Sequence, residues 1–154
     1  MKSEVKVGDN HLQITRVFDA PRHLVFAFWK EVDRLQQWWG CKDTTKVDCT
    51  MDFRVGGSFT CVMQITGAGE FSYKGQYDEI VEPKRIAFHA DFGTTTTRMV
   101  VDFVDLQQGA QTKMVLTQVG FPAQSICEMV SQGTSESFDK LDSLLASQTL
   151  INHL

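Results

Sequence analysis

The stretch Lys113-Met114-Val115-Leu116-Thr117-Gln118-Val119-Gly120-Phe121-Pro122-Ala123-Gln124-Ser125-Ile126-Cys127-Glu128-Met129-Val130 decides the fold. Up to Val119 its residues alternate, with Met114, Leu116 and Gln118 on one side, the period of a β-strand with one buried face. Past Phe121-Pro122 the period becomes helical. Ile126, Met129 and Val130 are followed by Phe138, Leu141, Leu144 and Leu145 on one stripe. A sheet therefore ends here and a long terminal helix begins. Ser125 to Gln148 predicts a rod of ~36 Å at ~1.5 Å per residue, as long as a small sheet is wide. Gly133, Thr134, Ser135 and Ser137 interrupt its apolar stripe, and the tail Thr149–Leu154 is expected to fray.

Working back from Phe121, period two persists to Lys46 through segments centred on Cys49–Phe53, Phe59–Ile65, Phe71–Ile80, Ile86–Phe92, Arg98–Val104 and Lys113–Val119. Turn residues separate them: Gly56-Gly57, Gly67-Ala68-Gly69, Glu82-Pro83-Lys84, Gly93 and Gln107-Gln108-Gly109. No interval is long enough for a crossover helix, so the strands are antiparallel. Further upstream, Leu12, Ile14, Arg16 and Phe18 share one phase of another strand, His11–Phe18, which ends at Asp19-Ala20-Pro21. Leu24, Val25, Phe28, Trp29 and Val32 then recur at helical spacing, with Pro21 in the first turn. Asp33 is placed to cap a second, shorter helix carrying Leu35, Trp38 and Trp39, stopped by Gly40. The reading is α+β: one curved antiparallel sheet of about seven strands around a C-terminal helix, with two short helices after the first strand. Residues 1–154 form one domain of ordinary size.

Composition narrows the function classes. Apolar residues at 42% and charged ones at 22% are ordinary for a globular chain. Fifteen basic against nineteen acidic residues give a net charge of −4 without a basic stripe, so nucleic acid is excluded as an expected partner. The longest apolar run, Leu24–Trp29, is too short to span a bilayer, and Met1–Leu12 lacks a signal-like apolar core, so the expected location is cytoplasmic. Cys41, Cys49, Cys61 and Cys127 fall at irregular spacings without a C-x-x-C pair, and read as reduced and mostly buried. His11, His23, His89 and His153 show no ligand spacing, so no metal or other cofactor is expected. Glu70, Asp78, Glu79 and Asp91 have mostly solvent-facing parity, and no general acid or base is assigned.

The chain resembles the START-like, helix-grip superfamily, also called SRPBCC and sharing the Bet v-like fold. Within it, the chain is similar to the branch named after activators of the heat-shock-protein ATPase. The resemblance rests on Asp19-Ala20-Pro21 with Val25, Phe26 and Trp29; on Leu35 with Trp38-Trp39-Gly40; and on Asp52-Phe53-Arg54-Val55-Gly56-Gly57 with Phe59. It continues through Gly75, Tyr77, Glu79-Ile80-Val81, Pro83, Arg85-Ile86 and Phe88, then Leu116-Thr117-Gln118, Gly120-Phe121-Pro122 and Ser137-Phe138-Asp139-Lys140-Leu141. These follow the family's order along nearly the whole chain. The resemblance implies a deep apolar cavity between sheet and C-terminal helix that receives small molecules or lipids. It implies no one activity, since members include carriers, receptors, cyclases and chaperone regulators. Bacterial members often carry Trp where this chain has Thr134 and an aromatic residue near Ala90, which implies a hollow larger here than usual.

The expected wall follows strand parity: Phe59, Cys61 and Met63; Phe71 and Tyr73; Phe88, Ala90 and Phe92; Met99, Val101 and Phe103; Met114, Leu116 and Gln118. Plain core packing competes for every one of these. Gln118 needs a partner, either the backbone, Thr134 or Ser137, or a ligand. Tyr73 either points its hydroxyl at a ligand or reaches solvent. The tryptophans either gate the opening or anchor the helices, and on a helix only one of Trp38 and Trp39 points inward. The ligand-binding set is Trp29, Trp39, Phe59, Met63, Tyr73, Phe88, Phe92, Met99, Phe103, Met114, Gln118, Met129, Thr134 and Phe138, with no catalytic residue. The expected function is non-catalytic binding of an apolar or amphipathic small molecule or lipid, in a stress-related setting. The alternatives are an interaction module regulating a chaperone, with a homodimer implied by resemblance, and a polyketide cyclase-like or dehydratase-like enzyme.

Overall fold

A computed structural model describes residues 2–152, with side chains up to 148; the expectations for Met1, His153, Leu154 and the side chains beyond Gln148 lie outside the described residues. The strands are β1 (Glu4–Val7), β2 (His11–Phe18), β3 (Thr44–Met51), β4 (Ser58–Ile65), β5 (Gly69–Val81), β6 (Arg85–Asp91), β7 (Thr96–Leu106) and β8 (Gln111–Val119). The helices are α1 (Arg22–Lys30), α2 (Val32–Leu35) and α3 (Gln124–Asn152), with a short 3-10 turn at Gln107–Gly109. All eight strands form one antiparallel sheet in the order β1-β2-β8-β7-β6-β5-β4-β3. The sheet has one strand more than the alternation predicts. β1 escapes notice because its residues are exposed or only partly covered, as on an edge strand with no buried face to impose a period.

Across the ladder, register aligns the buried phases. Ile14 faces Leu116, Leu116 faces Val101, and Val101 faces Ile86, so one apolar row crosses four strands. β5 carries a bulge between Tyr77 and Glu79, which moves the inward phase from Tyr73 and Tyr77 to Ile80. Gly75 lies in this strand because the Phe59 ring packs over it, and an added Cβ would stand 2.4 Å from Phe59 Cζ.

The helical connection departs from expectation. Pro21 is extended and precedes the first helical residue of α1. The helix stops at Lys30, and extended Glu31, not Asp33, stands at the start of α2. Trp38 and Trp39 lie beyond α2 in a turn closed by Gly40 at φ +108°. Freed from helical divergence, both indoles turn inward. Trp38 is fully buried and donates to the Phe28 carbonyl (3.0 Å), while Trp39 is half-buried.

Helix α3 continues through Gly133 and on to Asn152. Its small residues receive the Trp38–Cys41 turn: Ser137 Oγ accepts from the Gly40 N–H (3.0 Å) and donates to the Gly40 carbonyl (2.8 Å). The helix is anchored at its middle by Arg16, which parity already placed on the buried side of β2. Arg16 is 5% exposed, and its guanidinium donates to Asp139 and, at 3.0 Å, to Asp142. Arg16→Met is expected to lower stability by ~1–3 kcal/mol, because two charge-assisted hydrogen bonds are lost. Asp139→Asn, at a largely exposed carboxylate, is expected to cost under ~1 kcal/mol. Urea midpoints check both values, and an unmoved midpoint for Arg16→Met contradicts the anchoring role.

Candidate functional site

Helix α3 packs directly on the sheet through its buried residues. Phe138 is fully buried and meets Phe18 (centroids 6.4 Å apart) and Trp38 (6.1 Å). Leu141, Leu145 and Cys127 complete the packing from the helix side, against Leu12, Ile14 and Leu116 of the same core. This corrects the expectation of a hollow beneath α3, enlarged at Thr134 and Ala90: Phe138 takes up volume there, and Ala90 is itself covered.

A cavity does exist, displaced toward the other half of the sheet. Trp29 and Leu35 with the following Trp39 cover it, and strands β3 to β6 with the β3–β4 turn supply Cys49, Met51, Phe53, Phe59, Thr60, Cys61, Tyr73, Tyr77, Ile86 and Phe88. No residue of α3 lines it. Its volume is about 30 Å³, room for one or two water molecules. Seven of the thirteen wall residues are aromatic, and their rings meet mostly edge to face: Phe59 with Phe88 at 5.3 Å, Phe53 with Tyr77 at 5.0 Å, Trp29 with Trp39 at 5.5 Å. Rigid rings locked in such pairs cannot flow into a residual gap, which is why the gap persists.

Of the expected ligand-binding set, the structure gathers Trp29, Trp39, Phe59, Tyr73 and Phe88 around the cavity. Met99, Phe103, Met114 and Phe138 are core residues outside its wall, and Trp29 donates its indole N–H to Met114 Sδ (3.3 Å). Met63 is buried farther along β4, and Phe92 stacks on Phe71 at the end of β5 and β6 (5.8 Å). Phe71 itself is 42% exposed, so the sheet's apolar face runs out to solvent there. Met129 is a correction: at 65% exposure it points away from the core, since the stripe of α3 that faces the sheet runs through Cys127, Phe138, Leu141 and Leu145. Thr134 is half-buried and does not reach the cavity. Gln118 is buried and donates to Thr97 Oγ1 (2.9 Å), not to Thr134 or Ser137; its Oε1 has no hydrogen-bond partner.

Parity alone missed Tyr77, which shares a phase with Tyr73, and Phe53, which lies past the end of β3. It also missed the relation between Cys49 and Cys61. These two face each other across β3 and β4 and form a disulfide, with Cα atoms 4.3 Å apart. The expectation of four reduced cysteines therefore holds only for Cys41 and Cys127. Spacing could not reveal the pair, because it depends on the register set by the Asp52–Gly57 turn.

The polar groups of the wall are few. Trp39 donates its indole N–H to the Tyr73 hydroxyl, a latch between the helical cover and β5. Desolvation pushes both the Tyr73 and Tyr77 hydroxyls well above their ordinary pKa of 10.0. No carboxylate or histidine reaches the wall; His89 and Asp78 pair with each other on the opposite face of the sheet (3.0 Å). Among the described residues no cluster has the composition of a metal site, and no helix is long and apolar enough to cross a membrane.

A phenol kept neutral by folding gives the unfolded chain the lower pKa, so above pH ~10 the unfolded state has fewer bound protons and stability falls as pH rises. Chemical unfolding between pH 8 and pH 11 is expected to show this decline, and Tyr73→Phe with Tyr77→Phe is expected to flatten it. An equally steep decline in the double variant contradicts the assignment.

The fold recurs in solved bacterial proteins. Protein CV1439 from Chromobacterium violaceum superposes with a TM-score of 0.77 at 22% identity, covering 88% of this chain and 96% of that one. A protein from Arthrobacter aurescens, solved by NMR in solution, gives 0.80 at 22% identity over 96% and 92%. CalU16 from Micromonospora echinospora gives 0.71 at 14% identity over 97% and 90%. At these identities the likeness is one of fold. Comparison with curated proteins gave no significant match. The family profile described as "Activator of Hsp90 ATPase homolog 1-like protein" matches residues 19–146, from the Asp19 turn ahead of α1 almost to the end of the described side chains of α3. The chain thus belongs to the activator of Hsp90 ATPase homolog 1-like family, a branch of the START-like (SRPBCC) superfamily.

Proposed function

We propose that the protein binds a small, flat apolar molecule non-covalently in the cavity between the Trp29–Trp39 cover and strands β3 to β6. The observation that carries this reading is the wall itself, seven aromatic side chains around space they leave unfilled, with a hydroxyl and an indole N–H at its rim. A volume of about 30 Å³ does not admit such a ligand as it stands. Entry requires the Trp39–Tyr73 latch to part, which costs on the order of 1 kcal/mol for one hydrogen bond. Burying ligand surface returns ~25 cal/mol per Å², less the cost of ordering the ligand and the displaced rings. Once parted, the Trp39 N–H and the Tyr73 hydroxyl are free to orient a polar edge of the ligand. The wall presents mainly aromatic and aliphatic side chains with no carboxylate, histidine or lysine among them, which favours carriage or sensing over turnover.

A thermal-shift screen of fatty acids, sterols and aromatic polyketides checks this. A ligand at a hundred times its Kd stabilises by ~2.7 kcal/mol, roughly 5–10 °C in Tm for a chain of this size. A screen that leaves Tm unmoved contradicts the reading.

A second reading, regulation of a chaperone ATPase, is favoured by the family description. Of the tryptophan pair, Trp38 is fully buried, which leaves the half-buried Trp39 as the member a partner protein could touch. The chaperone's ATPase rate with and without this protein is the measurement that separates the two readings.

A further inference from the structure

We propose that the Cys49–Cys61 disulfide is a thiol-exchange site for a low-molecular-weight thiol, with Cys49 the sulfur attacked and Cys61 the leaving group. The inference does not depend on whether the cavity carries a non-covalent ligand.

Position, first, separates this link from a structural staple. It spans 12 residues within one hairpin, and its two strands are already paired in register from Val47–Met63 to Met51–Phe59. The in-register backbone pairing already holds the two strands in the folded chain, and closing a loop this short stabilises less than closing a long one. Backbone pairing, and not the link, sets the register of β3 on β4.

Access, second, differs for the two sulfurs. β3 is the last strand of the sheet, so no further strand flanks Cys49. Its backbone N–H points away from β4 and donates to Gln36 Oε1 (2.7 Å), which marks the pair as a non-hydrogen-bonded one with side chains close together. Cys49 is half-buried whereas Cys61 is 2% exposed. A thiolate attacks along the S–S axis from the side opposite the leaving sulfur. Cys49, the less buried sulfur and the one on the edge strand, is therefore the one a thiolate from solvent reaches.

The exchange balances. A thiolate RS⁻ bonds to Cys49 Sγ, the Cys49–Cys61 bond breaks, and the electron pair leaves on Cys61, which takes a proton from water. A second RS⁻ then attacks the sulfur of the bound R group, releasing RSSR and the Cys49 thiolate. Two thiols are oxidised to one disulfide while the protein disulfide is reduced to two thiols. The site is also wired to the cavity: Cys61 is the cross-strand partner of Tyr73, which holds Trp39, and Gln36 binds Cys49 from the segment that covers the wall.

The test uses the full chain with Cys41→Ser, which removes the half-exposed free thiol, in graded mixtures of reduced and oxidised glutathione. The disulfide is expected to reduce while the far-ultraviolet spectrum stays folded, with a change in tryptophan fluorescence. Acid-quenched peptide mapping is expected to find the glutathionyl group on Cys49 and not on Cys61. Adding Cys61→Ser should trap one glutathionyl group per chain at Cys49, and adding Cys49→Ser should leave Cys61 unmodified. The peptide mapping on the Cys41→Ser chain decides the matter even where either further variant fails to fold. A disulfide that reacts only after unfolding, or an adduct found on Cys61, overturns the proposal.

Discussion

Arg16 fixes where everything else must go. It is the one charged side chain buried among the described residues, and its two carboxylate partners, Asp139 and Asp142, lie one turn apart on α3. A buried guanidinium without those partners would be expensive, so the helix is held over β2. With α3 committed to that side, the apolar face of β3 to β6 must be covered by something thinner. The cover is α1, the one-turn α2 and the Trp38–Trp39 turn, clasped to α3 through Ser137 and Gly40. The two halves of the sheet are thus closed by different means, mixed packing of Phe138 with aliphatic residues under the long helix and mainly aromatic packing under the short ones.

That division explains where empty space survives. Under α3, flexible and branched side chains fill the volume around Phe138. Under the tryptophans, rings held in edge-to-face pairs leave a small gap, and one hydrogen bond between Trp39 and Tyr73 spans its rim. Beside that latch runs a row of paired residues, Cys49, Cys61 and Tyr73, on three neighbouring strands.

Much of the fold was legible from periodicity, and the reasons for the misses are physical. Six alternating segments and the stripe of Phe138, Leu141 and Leu145 marked the sheet and its helix, because one buried face imposes a period on the residues that cover it. β1 buries no such face and left no pattern. The Trp38–Trp39 segment imitates helical spacing, yet the Trp38 bond to the Phe28 carbonyl and the positive φ of Gly40 draw it into a turn. The site was harder to read. Trp29, Trp39, Phe59, Tyr73 and Phe88 were legible as inward aromatic residues, but a cavity is volume that side chains fail to fill, and no residue pattern encodes it. The disulfide depended on cross-strand register, which is set by a turn and not by cysteine spacing.

The central claim is that ligand space lies under the tryptophan turn and not under the C-terminal helix. The most direct measurement is an NMR titration of the labelled protein with a naphthalene-sized aromatic probe, following the Trp39 indole N–H and the methyl groups of Met51 and Leu141. The account expects the Trp39 N–H and Met51 signals to shift together while Leu141 stays in place. Shifts centred on Leu141 and its neighbours in α3, with Trp39 and Met51 unmoved, would contradict it.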